Sequence, residues 1–286
     1  MGYPTPLTGF ARQVNHRVYT FSTPFTRFDR LPFGGRMSLI RTLNGKFILY
    51  STVPHSKVVV DSLNELLVKQ GSIKDGESFV DNISTIVIPD REHTMAVVGW
   101  YQALKDFPPT VIGFDGCSKA VDDIITCKIP KNAGYITLKG ADLIKFGLPE
   151  SDGIVNEGFE FIYFPHHANQ ELVMYDPEGV LFEADMYFNL QHSGVKNEHC
   201  DMYNEQWGGV DPQVGFWGWV CKLVFTPGWL NSWLMKGIFK DKPAAASGMQ
   251  EIAKHWQFEK IIPSHGDVIE RKGDKVWQEA FSFLKK

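Results

Sequence analysis

Short runs of β-branched and aromatic residues alternate along this chain with segments whose apolar positions recur every three to four residues. The first 35 residues, rich in Pro, Gly, Thr and Phe, read as extended segments and turns. Strand-like runs follow at 37–40 and 47–50. The Asn44-Gly45 pair between them is a hairpin signal, because tight hairpin turns need residues that tolerate positive φ. Val59, Leu63, Leu66 and Leu67 then predict a helix over 58–70, introduced by Pro54 and Ser56 and stopped at Gly71. Residues 83–88 are a β-branched run and predict a buried strand that ends at Pro89. A polar tip, Asp90-Arg91-Glu92-His93, leads into a helical stretch at 94–104 and a short strand at 111–113. This strand, tip, helix, strand order is that of α/β units.

The second half repeats the alternation. Strands are expected at 159–164, 171–175 and 180–182, with the Asp176-Pro177-Glu178-Gly179 turn between the last two. Residues 189–212 are polar and contain His192, His199 and Cys200, which read as a surface loop. Residues 213–240 are aromatic and break at Pro227-Gly228. A helix over 244–255, a strand at 260–262 and a final helix over 275–284 complete the pattern. The whole, 1–286, reads as a single α/β domain with an aromatic-rich insertion or lid at about 189–240.

Composition narrows the function classes. With 286 residues, 43% hydrophobic, the chain can bury a large core. A net charge of −4 lacks the basic footprint of a nucleic-acid binder, so no nucleic-acid partner is expected. No stretch reaches the roughly 18 apolar residues of a membrane span, and no apolar run at the N-terminus suits a signal peptide. Few cysteines and no C-x-x-C spacing suit a reducing compartment. The expectation is a cytoplasmic protein without a membrane partner. The aromatic segment 216–233 suits a lid or wall for an apolar or aromatic small-molecule substrate, and equally a homodimer surface or a packed helical layer.

Four predicted strand ends carry candidate ligands. Residues 86–88 lead to Asp90, Glu92 and His93; Tyr163-Phe164 to His166 and His167; Leu181-Phe182 to Asp185; Ile261-Ile262 to His265. Sites in α/β sheets form where several strands end on one side. Histidine and carboxylate together suit zinc, iron or manganese better than calcium. Each residue alone has a plainer role: a hydrogen-bonded His, a capping Asp, a turn. Their joint order makes the case for a site. His55 follows the early strand and is a weaker candidate.

The stretch from His167 through Leu181-Phe182-Glu183-Ala184-Asp185 resembles the metal-binding hairpin of the metallo-β-lactamase superfamily. There a ligand His opens the hairpin and a bridging Asp closes it. Pro263-Ser264-His265-Gly266-Asp267 resembles that family's last motif. The resemblance spans 35–286 and implies a four-layer αββα sandwich. It implies metal binding by His93, His167, Asp185 and His265, with His166 as a further candidate. The family's first motif, His-x-His-x-Asp-His, is altered. In one register Asp90 and Glu92 replace its first two His, and Thr94 and Met95 its Asp and last His. In the other, His93 is the last His, Glu92 takes the Asp position and Asp90 that of the second His. Tyr50-Ser51-Thr52 stands where the family usually places an Asp. The pattern is closest to a divergent, largely uncharacterised subfamily with Ser after the early strand and a late His-Gly-Asp.

A divalent metal, zinc or iron with manganese as a third candidate, and one or two ions, is therefore the expected cofactor. Such a cation with an open position lowers the pKa of bound water to about 7. The implied activity is hydrolysis of an ester, lactone, thioester or amide, with Asp90 or Glu92 as general base. The alternatives are an iron-dependent oxygenase or lyase on the same fold, which carboxylates in place of His favour, and a non-catalytic binding protein with a weakened site.

Overall fold

The computed structural model describes residues 2–190, 207–208, 214–225 and 229–285. Two sheets face each other. The N-terminal stretch supplies β1 (Phe10–Gln13) and β2 (Val18–Thr23), then a small hairpin of β3 (Thr26–Arg27) and β4 (Leu31–Pro32). Next come β5 (Gly35–Arg41), β6 (Phe47–Tyr50) and helix α1 (Lys57–Lys69). Strand β7 (Ile83–Val87), helix α2 (Val97–Ala103), β8 (Thr110–Phe114) and β9 (Cys127–Ile129) follow. The first sheet runs β1-β2-β5-β6-β7-β8-β9. The expected hairpin is present, with Ser38 opposite Tyr50 and Gly45 at φ +80°. From β6 to β9 the strands are parallel, as crossovers through α1 and α2 require.

The second half contributes β10 (Thr137–Leu138), the short helices α3 (Gly140–Lys145) and α4 (Gly153–Asn156), and β11 (Glu160–Phe164). Then follow β12 (Glu171–Asp176), β13 (Val180–Glu183), and helices α5 (Phe216–Phe225), α6 (Trp229–Ile238) and α7 (Lys242–His255). Strand β14 (Lys260–Pro263) and helix α8 (Gly273–Ala280) close the chain. The second sheet runs β10-β11-β12-β13-β14, with β14 parallel to β13.

Alternation along the second sheet fixes the layers. Phe161, Tyr163, Leu172, Met174, Phe182 and Ile262 point into the core shared with the first sheet. Their neighbours Ile162, Phe164, Val173, Leu181 and Ile261 point the other way, onto Ala245, Met249 and Ile252 of α7 and Trp277 of α8. Val59, Leu63 and Leu67 of α1 and Trp100 of α2 cover the outer face of the first sheet. The inner strands are thus buried on both faces, which is why β6, β7, β11 and β13 read as largely continuous apolar runs. The result is the expected αββα sandwich. Among the described residues no helix is long and apolar enough to cross a membrane.

Residues 1–35 do more than the extended segments and turns read from sequence, since β1 and β2 extend the first sheet and β3–β4 folds toward its rim. The expected final helix is shorter, ending at Ala280 before a turn of 3₁₀ helix at Ser282–Lys285. The aromatic stretch forms two helices, α5 and α6. The candidates His192, His199 and Cys200 lie outside the described residues.

The two sheets are also joined by charge. Arg17, at the start of β2, donates from Nε to Asp176 Oδ2 at 3.0 Å, bonds the other Asp176 oxygen, and donates to Glu157 at 2.6 Å. Asp176 is fully buried. Breaking a buried pair leaves a charge without compensation and costs roughly 3–5 kcal/mol. Glu157 stays with Arg17, so Asp176→Ala is expected to cost about 3 kcal/mol in urea denaturation. The double variant Arg17→Met/Asp176→Ala should be less stable still, because it leaves the Glu157 carboxylate, whose side chain is only 6% exposed, without its cation. A single variant as stable as the parent would show the pair to be dispensable.

Candidate metal centre

The sheets bring three strand ends to one rim. β7 leads through Ile88 and Pro89 to the Asp90–His93 tip. β13 runs through Ala184 to Asp185, and its parallel neighbour β14 runs through Ser264 to His265. One ligand atom each from His93, Asp185 and His265 lies within 4.8 Å of the others. All three residues are buried or nearly so.

What lies behind each side chain decides how it faces the centre. His265 Nδ1 donates to the Gly34 carbonyl at 2.7 Å, because a carbonyl only accepts, and this turns Nε2 forward. His93 Nδ1 pairs with Asp90 Oδ2 at 2.8 Å, which leaves its Nε2 forward as well. Asp90 Oδ1 accepts the backbone N–H of Glu92 and of His93, at 2.6 and 2.9 Å. Asp185 Oδ2 accepts from Asn169 Nδ2. The other oxygen, Oδ1, lies 3.3 Å from His265 Nε2 and has no hydrogen-bond partner. A buried carboxylate oxygen without a donor is costly unless something positive meets it. Two imidazole nitrogens and one such oxygen fit a zinc or iron ion.

The charged groups of the centre also act on one another. Burial lowers the pKa of His93, but Asp90, Asp185 and Glu92 outweigh it and push it up to about 9. Burial would raise Asp185, yet His265, His93 and His167 hold it below the ordinary carboxylate range. Burial keeps His167 below the ordinary histidine value, more than the nearby carboxylates raise it. Behind these, Glu171 accepts from Ala184 N at 2.7 Å and Asp185 N at 3.2 Å. Glu183 accepts from Met186 N and Tyr187 N, both at 3.0 Å. Burial drives both glutamates well above the usual range. They fasten the loop that carries Asp185.

The other sequence candidates stand apart from the trio to different degrees. His167 is buried beside Phe239; its Nδ1 accepts a long bond from Asn169 N, and its Nε2 has no partner. It lies outside the 4.8 Å group. His166 is exposed and stacks on Tyr135, whose hydroxyl is 3.0 Å from its Nδ1. His55 packs edge-on against Trp100. Asp90 is fully buried behind His93. Glu92 stays at the cavity and is held by both guanidinium nitrogens of Arg27, one of them at 2.7 Å.

Several contributors escaped the sequence reading. Tyr3, Phe25, Arg27 and Thr52 line a cavity of about 30 Å³ together with Glu92, His93 and His265. That is room for one or two waters. Phe188 stacks on His265 with centroids 5.0 Å apart, and Phe33 and Phe25 ring it at 5.7 and 6.1 Å. Arg36 donates to the carbonyls of Pro263 and Gly266 at 2.7 and 2.5 Å, and so holds the His265 turn. Gly266 sits at φ +85°, where a Cβ would meet the Asn189 carbonyl at 2.1 Å, so only glycine fits. Ser51, after β6, bonds Ser264 at 2.6 Å. The late His-Gly pair was a sequence signal for this turn. Nothing local in the first 35 residues marks Arg27 or Phe25.

No family model matches the chain, and no curated protein does. Solved structures do. A metal-soaked Flv1 flavodiiron core from Synechocystis sp. shares 14% identity at a TM-score of 0.51, covering 98% of this chain and 61% of that one. A mutant flavo di-iron protein from Thermotoga maritima shares 12% at 0.54, covering 98% and 62%. DIM-1 metallo-β-lactamase shares 10% at 0.53, covering 98% and 97%. The chain thus spans about three-fifths of the flavodiiron chains and nearly all of the lactamase. At these identities the likeness concerns the fold, and the fold of this chain is that of the metallo-β-lactamases.

Proposed function

We propose that the protein is a metal-dependent hydrolase of a small or medium organic substrate, centred on His93, Asp185 and His265. The observation that carries this reading is the convergence of three ligand atoms whose back sides are already fastened, beside a buried Asp185 oxygen without a donor. When bound, a divalent cation supplies Lewis acidity and an acidified water.

The chain's own groups then divide the work. His93 and His265 present Nε2, and Asp185 presents Oδ1. Asp90 positions His93 and is too deeply buried to take a proton from a substrate or water. Glu92 lines the cavity and is the general base in this reading, with Arg27 orienting its carboxylate. His167, whose Nε2 lacks a partner, is the candidate for a second ion. Phe25, Phe33 and Phe188 exclude bulk water, which strengthens the electrostatics inside. Carboxylates around the trio also keep an iron-dependent, non-hydrolytic reaction as the second reading.

Protein purified without added metal should contain about one equivalent of zinc or iron by mass spectrometry. Asp185→Ala and His265→Ala should each lose it. Unchanged occupancy in both variants would sink the metal centre, and iron with oxygen consumption would select the second reading. Metal at about 100-fold over its Kd should add about 2.7 kcal/mol to stability, read as a chelator-reversible rise in Tm.

Asp90→Asn keeps the acceptor for the two backbone N–H groups and removes the charge behind His93. It should weaken metal binding by about 10–100-fold with little change in the stability of the metal-free protein. Glu92→Gln should leave metal content intact and lower kcat for ester hydrolysis by about 100-fold or more.

A further inference from the structure

Among the described residues, helices α5 and α6 each turn large apolar side chains outward that the metal centre does not use. Phe216, Trp219 and Leu223 recur at helical spacing on α5 and are 66, 57 and 48% exposed. Trp233 of α6 is 68% exposed, and Val214, just before α5, 76%. The opposite side of α5 is packed. Cys221 is buried with Phe33 and Leu190, and Phe225 meets Phe33 and Phe188 at 5.1 and 4.7 Å. The outward apolar residues are therefore surplus to the core. A patch of this kind marks an interaction surface.

The chemistry of the segment identifies the partner. Residues 214–240 hold four of the chain's eight Trp, three Lys (Lys222, Lys236 and Lys240) and no Asp or Glu, in a chain of net charge −4. Next to it, exposed Arg30 of the β3–β4 turn stacks over Trp217 at 5.2 Å. Phe28 at the same turn is 63% exposed. Trp with Phe and Leu, flanked by Lys and free of acid, is the composition of helices lying in the plane of a membrane interface. A second copy of the chain fits less well. A two-fold contact would set this lysine-bearing segment against itself, and interface cores are depleted in charge.

We infer that the α5–α6 segment seats the protein on the surface of an anionic lipid bilayer, with Trp219, Leu223 and Trp233 entering the interface and Lys236 and Lys240 meeting lipid headgroups. The sequence reading excluded a spanning helix and expected no membrane partner. A helix pair in the interface plane needs no span. The inference is independent of the reaction at the metal centre.

Full-length protein should co-sediment with vesicles of phosphatidylcholine and phosphatidylserine, with a blue shift in Trp fluorescence. It should bind pure phosphatidylcholine at least about tenfold more weakly. The triple variant Trp219→Gln/Leu223→Gln/Trp233→Gln should lose at least about tenfold in binding while keeping its metal content and circular dichroism. Absence of binding by the parent protein to anionic vesicles overturns the inference, whatever the variant does. So does a lipid-free dimer in analytical ultracentrifugation that the triple variant abolishes, which would assign the face to a second copy. If Asp185→Ala loses metal yet still binds vesicles, the surface stands without the hydrolase reading.

Discussion

The rim of this protein depends on one buried guanidinium. Arg36 sits on β5 of the first sheet, 3% exposed, and reaches across to two carbonyls of the second-sheet turn that carries His265. Burial lowers its pKa to about 10 against the pull of Asp267 and Glu183, which leaves it charged at neutral pH. Its Nε is met by Ser22 of β2 at 3.1 Å. A charge this deep is tolerated only with hydrogen bonds on every side. The turn it grips must therefore keep one conformation, and Gly266 at positive φ supplies it.

From that fixed turn the centre is assembled against its own electrostatics. Asp90, Glu171, Glu183 and Asp185 are all buried within reach of one another, and the glutamates shift toward the protonated form as a result. Asp185 is drawn the other way, below the ordinary carboxylate range, by His265, His93 and His167. Backbone N–H groups meet the rest. Asp90 caps the 92–93 backbone, Glu171 holds the N–H groups of Ala184 and Asp185, and Glu183 those of Met186 and Tyr187. The carboxylates thus serve as splints for the loops that hold ligands. His93, Asp185 and His265 thus turn one ligand atom each toward a common point, a donor set that fits a divalent cation.

Much of the sandwich was legible in the chain because the inner strands are buried on both faces and so read as largely continuous apolar runs. The β13–Asp185 and β14–His265 ends were legible for a related reason. A strand followed at once by a polar residue marks a sheet rim. The tip at Asp90–His93 was not resolvable by pattern, since three adjacent ionisable residues allow two registers. The fold separates them by direction: Asp90 inward behind His93, His93 forward, Glu92 to the cavity. The first 35 residues were illegible beyond their extended character. Their contribution is made by long-range contacts, Gly34 O to His265 and Arg27 to Glu92, which leave no local periodicity. His166 and His167 show the converse. Adjacent in sequence, they part at the strand end, one to the surface against Tyr135 and one into the interior.

The aromatic segment links these halves. Phe225 on the inner side of α5 touches Phe33 and Phe188, and both of those rings pack on His265. The face of α5 turned to solvent and the collar around the centre are thus two sides of one helix. The cavity beside His93 and His265 holds only about 30 Å³, so in the proposed reading a substrate larger than water needs part of this collar to move. Phe25, Arg27 and Phe33 belong to the β3–β4 region, and Phe188 and Phe225 to the loop and helix opposite. These side chains meet over His265 through aromatic contacts and the Arg27–Glu92 pair, while Asn189, next to Phe188, is hydrogen-bonded to the 265–267 turn. Aromatic stacking and a half-exposed ion pair are each worth on the order of 1 kcal/mol. That is far weaker than the Arg36 clamp beneath them. In the proposed reading the β3–β4 side of the collar is therefore the part that would yield while the ligands stay in register, and a partner on the outer face of α5 would bear on that movement.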